Sequence, residues 1–382
     1  MNNVYVLGGL RTPIAIKNGK FKNVRAEELG ATVLSGLRNK YNISAPDGVI
    51  AGNAVGTGGN IARLTSLLAG FSESVPAFTA DMQCASGAAA IAMGYSLISS
   101  GNGACYICGG MESSSLQPLR IYHENDPRYS MTPAKNGEYY TAQFTPDEMA
   151  PDAMLWGAER TIAAENITKK ELDRWTILSH QRAAAAKEKG YLKDLIIPVL
   201  GHTEDDGIRP KMNQRLIDRL PKILGKNTSI TAGNSCLIND GAAFAVLVSD
   251  KWLCQHTSFK PEAKIIGTAM SGSNSIESPR GAMHTADVLL DKLQLGYDDM
   301  NAIEFNEAFA VIDVLFERRY PDKTNIYNRL GGALAYGHPY GASGGILLLH
   351  LLKSLKLNGG GKGILSIAGA GGMGQAIAIE SV

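Results

Sequence analysis

Residues 84–113 read CASGAAAIAMGYSLISSGNGACYICGGMES, and residues 341–375 read GASGGILLLHLLKSLKLNGGGKGILSIAGAGGMGQ. Each runs through Ala-Ser-Gly, an apolar helical stretch, a glycine turn, a strand-like run and Gly-Gly-Met. Agreement over roughly thirty residues is the size of a shared supersecondary unit. The pair predicts a duplicated fold: two halves related by a pseudo-twofold axis, with both Ala-Ser-Gly turns at one interface. The competing reading is coincidence between two segments rich in glycine and alanine.

Outward from the first copy, short apolar runs alternate with helical patterns: VYVLGG, AEELGATVLSGLRNKY, GVIAGN, NIARLTSLLAG and PAFTADMQ. The rhythm returns around the second copy with KIIGTAM, ADVLLDKLQL and AIEFNEAF. Strands alternating with helices predict an α/β fold whose parallel-rich sheet is covered on its faces. The middle of the chain differs. From about Ser115 to Arg219 it carries more Pro, Tyr, Met and charge. Its one clear amphipathic helix, TKKELDRWTILSHQRAAAAKEKGY, has Thr168 as N-cap and Glu171 as the capping-box partner. This block reads as an insertion over the core. The expected division is residues 1–114 plus 231–260 for the first half, 115–230 for the inserted loop domain, and 261–382 for the second half.

The bulk numbers set limits. A chain of 382 residues is long enough for two domain-sized units or one large α/β unit. A net charge of +1 with no long block of like charge does not point to nucleic acid. No apolar run approaches the roughly eighteen residues of a membrane span. The opening MNNVYVLGGLRTP has no signal-peptide pattern, and five irregularly spaced cysteines do not form a disulfide framework. The expectation is a cytoplasmic protein with reduced thiols.

Cys84 stands between an apolar run and a small-residue helix. A helix starting just after it aims free N–H groups at the sulfur, which predicts a lowered thiol pKa and a nucleophile. The alternative is an inert buried thiol. Among seven histidines only His338 is set between glycines and a proline, in GGALAYGHPYGASGG. Such a loop holds an imidazole in place without burying it in a helix, and a neutral imidazole near Cys84 can take its proton. His180 and His350 lie on helical patterns and read as packing or surface residues. Asn306, opening Asn-Glu-Ala-Phe after AIEF, is placed either to hold a water or an oxyanion or simply to cap a helix. Two motifs mislead. Gly369 to Gly374 fits G-x-G-x-x-G, but only eight strand-like residues follow it, too few for a dinucleotide site. Cys105 and Cys108 fit C-x-x-C inside a strand, where residues three apart face opposite sides.

Taken in order, QCASG, TAGNSCLINDGAA, NEAF, GGALAYGHPYGASGG and GAGGMG resemble the thiolase family, and GGMES, SHQRA and the overall length extend the likeness end to end. The resemblance implies two βαβαβαββ halves stacked in five α-β-α-β-α layers, a loop domain inserted in the first half, and a homodimer or homotetramer acting on acyl-CoA. It implies no cofactor, because the coenzyme A thioester is the substrate. Carried over, Cys84 resembles the acylated nucleophile and His338 the imidazole that activates it and polarises the thioester oxygen. Asn306 resembles the residue that fixes a water in that oxyanion hole. The amides of Cys84 and Ala370 resemble the second hole, for the acyl-enzyme carbonyl. For coenzyme A the candidates are Cys236, Met154, Arg209 and Lys211, with Arg215 beside them.

Two positions depart from the family pattern. The family's C-x-G-G-G-x-G is here Ala368-Gly369-Ala370-Gly371-Gly372-Met373-Gly374, so the second cysteine, the acid/base of the Claisen step, is Ala368. A methyl group has no proton to give, and general acid–base help is worth about 10²–10⁴ in rate. Cys236-Leu237 replaces a Ser-Gly whose serine contacts the pantetheine arm. Cys236 is either a substitute acid/base or a small buried residue. The resemblance therefore implies an acyltransferase forming an acyl-Cys84 intermediate, with its Claisen step impaired or altered. The open alternatives are acyl exchange or thioester hydrolysis, a catalytically silent acyl-CoA-binding paralogue, and a ketoacyl-synthase relative, which shares the fold but not the NEAF and GHP pair.

Overall fold

The computed structural model describes residues 2–146 and 152–382. The first half supplies β1 (Val4–Arg11), β2 (Ala15–Ile16), α1 (Ala26–Tyr41), β3 (Gly48–Gly52), α2 (Ile61–Leu68), β4 (Ala77–Ala80), α3 (Ser86–Ser99) and β5 (Cys105–Ser113). The middle carries β6 (Arg120–Ile121), β7 (Glu138–Tyr139), α4 (Ala153–Ala164), α5 (Lys169–Glu188) and α6 (Gln214–Ile217). The chain then returns through β8 (Asn239–Ser249) and α7 (Asp250–Gln255). The rest is β9 (Ala263–Gly272), α8 (Gly281–Leu293), β10 (Met300–Phe305), α9 (Ala310–Arg319), α10 (Ala333–Tyr336), α11 (Ser343–Leu357), β11 (Lys362–Gly369) and β12 (Met373–Ser381).

The duplication is visible in the strand order. From one edge the ladder runs β4-β3-β5-β8-β1 and continues β9-β12-β11-β10. In the first half β3 and β5 are parallel and the pairs β5–β8 and β8–β1 antiparallel. In the second half β10 and β11 are parallel and the pairs β11–β12 and β12–β9 antiparallel. The two sequences of pairings mirror each other about the β1–β9 seam. That seam is only two residue pairs long, Tyr5 with Lys264 and Val6 with Ala263.

The two repeated helices are the middle layer. Both α3 and α11 pack against strands of both halves and against each other. Helices α1 and α2 cover the outer face of the first half, and α8 and α9 that of the second. Close crossing of the middle helices depends on glycine. A Cβ on Gly87 would sit 2.5 Å from Gly341 O, and one on Gly344 would collide with Ala88 N. Both Ala-Ser-Gly turns therefore do meet at one interface.

Strand β5 shows the period-two rule at work. Cys108 packs into the core cluster around α3 and α11, and Cys105 into the one beneath α1. The C-x-x-C motif therefore spans two faces. Thr168 caps α5 with Glu171 closing the capping box, and β12 occupies the residues after the glycine turn, leaving no helix there for a dinucleotide.

Candidate active site

Cys84 sits on a sharp elbow between β4 and α3. The residue before it, Gln83, has φ 53°, a conformation that a side chain adopts only when its surroundings compel it. Ser86 supplies the compulsion: its Oγ accepts from Met82 N at 2.8 Å and donates to Gln83 O at 2.6 Å. Asp81 Oδ1 accepts from Gln83 N at 2.9 Å. The turn projects Cys84 half-buried at the foot of α3.

His338 comes from the other half. Its amide donates to Asn239 Oδ1 and Leu237 O, both at 3.0 Å. Its Nδ1 lies 2.6 Å from Ser343 Oγ, and that hydroxyl donates to Pro339 O at 2.9 Å. The serine proton is thus committed, so Nδ1–H donates to Ser343 and Nε2 is left with its lone pair. Asn306 Nδ2 approaches Nε2 at 3.3 Å. Asn306 does not cap a helix, because α9 starts at Ala310 with Phe309 at its N-cap.

Two buried carboxylates fix the loop that carries His338. Glu307 accepts from Ser179 Oγ at 2.6 Å, Leu334 N at 3.2 Å and Asn328 Nδ2 at 3.1 Å. Glu112 accepts from Asn53 Nδ2, Ala54 N and Val55 N of the first half and from Gly341 N of the second, at 2.8 to 3.2 Å. The loop is held at Leu334 on one side of the histidine and at Gly341 on the other.

Tyr340 joins the pieces. Its ring meets His338 edge-on with centroids 4.9 Å apart, and its phenol lies in the field of Cys84, Cys236 and Glu112. Cys236 donates its amide to Ala308 O at 2.9 Å, between the NEAF and GHP segments. Its sulfur lies within electrostatic range of Cys84. The ends of β11 and β4 also converge here: a Cβ on Gly369 would meet Met82 O at 3.0 Å and Ala85 Cβ at 3.7 Å. The amides of Cys84 and of the neighbouring Ala370 make no hydrogen bond to another residue among the described residues.

The electrostatics correct the expectation for Cys84. Burial pushes its thiol up to about 12, with Glu112 and Asp81 adding to the rise. Loss of water outweighs the few N–H groups at the start of α3. Burial also lowers His338 to about 3. The resting pair is a neutral thiol and a neutral imidazole.

Residues 4–251 match the family described as thiolase, N-terminal domain, and residues 259–381 match thiolase, C-terminal domain. The chain belongs to the thiolase family. It is 32% identical over 402 residues to the β-ketoadipyl-CoA thiolase of Pseudomonas putida, with each chain covered in full. Among solved structures it resembles the Bacillus anthracis acetyl-CoA acetyltransferase, with a TM-score of 0.92 at 28% identity, covering 100% of this chain and 99% of that one. It also resembles human mitochondrial 3-ketoacyl-CoA thiolase in complex with CoA, with a TM-score of 0.91 at 28% identity, covering 100% and 98%.

In this thiolase the residues singled out in the sequence fall into two groups. Cys84, His338, Asn306, Cys236 and Ala370 converge as described. Ala368 is buried near the end of β11 in the same core cluster against which Cys236 and Met154 pack. Arg209, Lys211 and Arg215 form the second group. They are exposed on the insertion, and the guanidinium of Arg209 donates to Asp206 O and Ile208 O of its own loop. Among the described residues, none of their hydrogen bonds reaches the Cys84–His338 site. His180 is buried rather than superficial, and its Nδ1 accepts from Arg209 N at 3.1 Å. The sequence singles out Glu307 only as the polar neighbour of Asn306, and Ser343, Tyr340 and Glu112 not at all. Ser343 had a usable signal, since it lies in the repeated Ala-Ser-Gly five residues after His338.

Proposed function

We propose that this thiolase transfers acyl groups from coenzyme A thioesters through an acyl-Cys84 intermediate. The observation that carries the reading is the chain His338 Nδ1–H, Ser343 Oγ–H, Pro339 O, which leaves Nε2 as an unprotonated base facing the site. The Cys84 sulfur attacks the thioester carbon as its proton passes to Nε2. The imidazolium and the Asn306 amide then face the developing oxyanion. When the carbon–sulfur bond to coenzyme A breaks, the departing thiolate recovers the proton from Nε2. The amides of Cys84 and Ala370 receive the acyl carbonyl. Coenzyme A is substrate here, and the chemistry requires no other cofactor.

Carbon–carbon bond formation needs a further group to move the α-proton, and Ala368 offers none. Cys236 is the other thiol within range of Cys84, and we assign it the residual proton transfer. Loss of a well-placed acid/base slows such a step about 10²–10⁴-fold, so acyl exchange or hydrolysis is expected to outrun condensation. For coenzyme A recognition we assign Cys236 and Met154 to the pantetheine side and the exposed Arg209 and Lys211 to the phosphates.

Two copies of the chain suit the exposed edge. Strand β4 ends the sheet, and of its outward groups Ala77 O accepts from Asn60 Nδ2 at 2.8 Å. Phe78, Met93 and Met270 expose 41%, 43% and 63% of their surface around one groove beside it. An apolar patch beside an edge strand is a pairing site. A reducing compartment such as the cytoplasm keeps Cys84 free. No helix among the described residues is long and apolar enough to cross a membrane.

The deciding experiment is incubation with acetyl-CoA followed by mass spectrometry of the peptide containing Cys84. An acetyl adduct that neutral hydroxylamine removes, as a thioester requires, and that Cys84→Ala does not form is the expected result. Binding of acetyl-CoA with no adduct identifies a silent paralogue and ends the proposal.

A further inference from the structure

A small cavity lies behind the catalytic imidazole. Asn306 and Ser343, the two side chains that hold the His338 ring, both line it, and so do Glu304 and His350. The spacing explains the grouping. Glu304 precedes Asn306 by two positions along the end of β10, so both face one way. His350 follows Ser343 by seven positions on α11, two helical turns along the same face. One turn further, Ser354 Oγ donates to Glu304 Oε1 at 2.8 Å. A polar seam thus runs between β10 and α11 beneath the active site, through an otherwise apolar core.

The seam has a gap. Glu304 Oε2 and His350 Nε2 are buried without a hydrogen-bond partner among the described residues. The two residues expose 0% and 3% of their surface. Orphaned polar atoms are rare in folded interiors because each gives up water for nothing. Here the two residues line one cavity of about 20 Å³, more than the roughly 10–15 Å³ that admits a single water.

We infer that this cavity binds a water molecule that bridges Glu304 Oε2 and His350 Nε2, and that the bridge positions His338 by pinning β10 to α11 behind Asn306 and Ser343. The hydrogens balance in the neutral state. The Glu304 carboxyl donates Oε2–H to the water, the water donates to the His350 Nε2 lone pair, and Glu304 Oε1 keeps its bond from Ser354. Burial favours that state at both ends, raising Glu304 to about 8 and lowering His350 to about 3. Arg11 and Asp205 face His350 from β1 and the insertion but are spent on each other through two bonds of 2.8 Å. Glu307 and Arg182 act on Glu304 with opposite signs. Glu304 and His350 are positioning residues, since neither touches the reacting atoms.

The functional half of this inference rests on the acyl-Cys84 reading, so the test has two arms. In a crystal structure of the wild-type protein, a water within hydrogen-bond reach of both Glu304 Oε2 and His350 Nε2 is expected, and a dry cavity overturns the bridge whatever the activity. In single-turnover acylation by acetyl-CoA, Glu304→Leu and His350→Leu are expected to slow the acylation step by roughly 10–100-fold, the usual cost of a small misplacement. The acetyl-CoA concentration at half-maximal rate stays unchanged, and Glu304→Gln recovers most of the loss. Leucine variants that acylate at the wild-type rate overturn the positioning role. Absence of acylation in the wild type sinks the acyl-Cys84 reading instead, and the water density still decides the bridge.

Discussion

Replacing Glu304 by Gln should make the protein more stable, by an amount that grows with pH. The carboxyl lies in the seam between β10 and α11 and is raised from 4.5 to about 8, chiefly by burial and also by the charge of Glu307, against the pull of Ser354 and Arg182. The sign follows from comparing the folded and unfolded chains. The unfolded carboxyl releases its proton near pH 4.5, while the folded one holds it to about 8. The stabilising contribution is complete below the lower value and is lost as pH climbs toward the upper one. Each intervening pH unit costs about 1.4 kcal/mol. By pH 7 the wild type has lost roughly 3 kcal/mol that a glutamine never loses. The amide keeps an oxygen for Ser354 and gains an N–H where the acid had its O–H, so shape and bonding are preserved. Urea unfolding followed by circular dichroism at pH 5, 6, 7 and 8 reads the difference. A gap of roughly 0.7 kcal/mol at pH 5 that widens to about 3 kcal/mol at pH 7 is expected. A gap that does not change with pH would show that Glu304 is ionised in the folded protein, and the reasoning would fail.

Three further outcomes can be checked. Carbamidomethylation of Cys84 by iodoacetamide should keep accelerating above pH 9, as a thiol pushed up to about 12 demands; a plateau below pH 8 would reveal a stabilised thiolate instead. Exchange of the acetyl-CoA α-protons in heavy water should rise about 10²–10⁴-fold in Ala368→Cys with acylation of Cys84 unaltered, while Cys236→Ala should remove the residual exchange of the parent. Unchanged exchange in Cys236→Ala would leave that residue a mere space-filler. Phe78→Glu should turn a dimer into a monomer in sedimentation velocity, and an unaltered sedimentation coefficient would rule out the β4 edge as the contact.

The parts of the site legible in the sequence were those written in local patterns. The loop at His338 is marked by glycine and proline, whose backbone demands are visible without a structure, whereas the elbow at Cys84 turns on a left-handed Gln83 that no residue type announces. The repeat fixed which helices share the middle layer, because Gly87 and Gly344 occupy equivalent places in the two copies. The charge state of Cys84 was not legible. A helix N-terminus can be read from residue order, but the depth at which the sulfur lies depends on β11, Tyr340 and Glu112, which are remote in sequence. Glu112, and the anchoring role of Glu307, were not legible for the same reason, since their importance lies in donors that arrive from other segments. Arg209 and Lys211 lie exposed on the insertion, with no hydrogen bond among the described residues to the Cys84–His338 site, a placement that residue order does not reveal.

Cys84 and His338 belong to opposite copies of the repeat, and the glycine crossing of α3 with α11 holds those copies together. During synthesis the sulfur at position 84 leaves the ribosome more than two hundred residues ahead of its imidazole partner. On the proposed acyl-Cys84 reading, the first copy alone is a thiol without its proton acceptor, and an unfinished chain should leave thioesters untouched. On that reading, acylation of Cys84 should report completion of folding as well as catalysis.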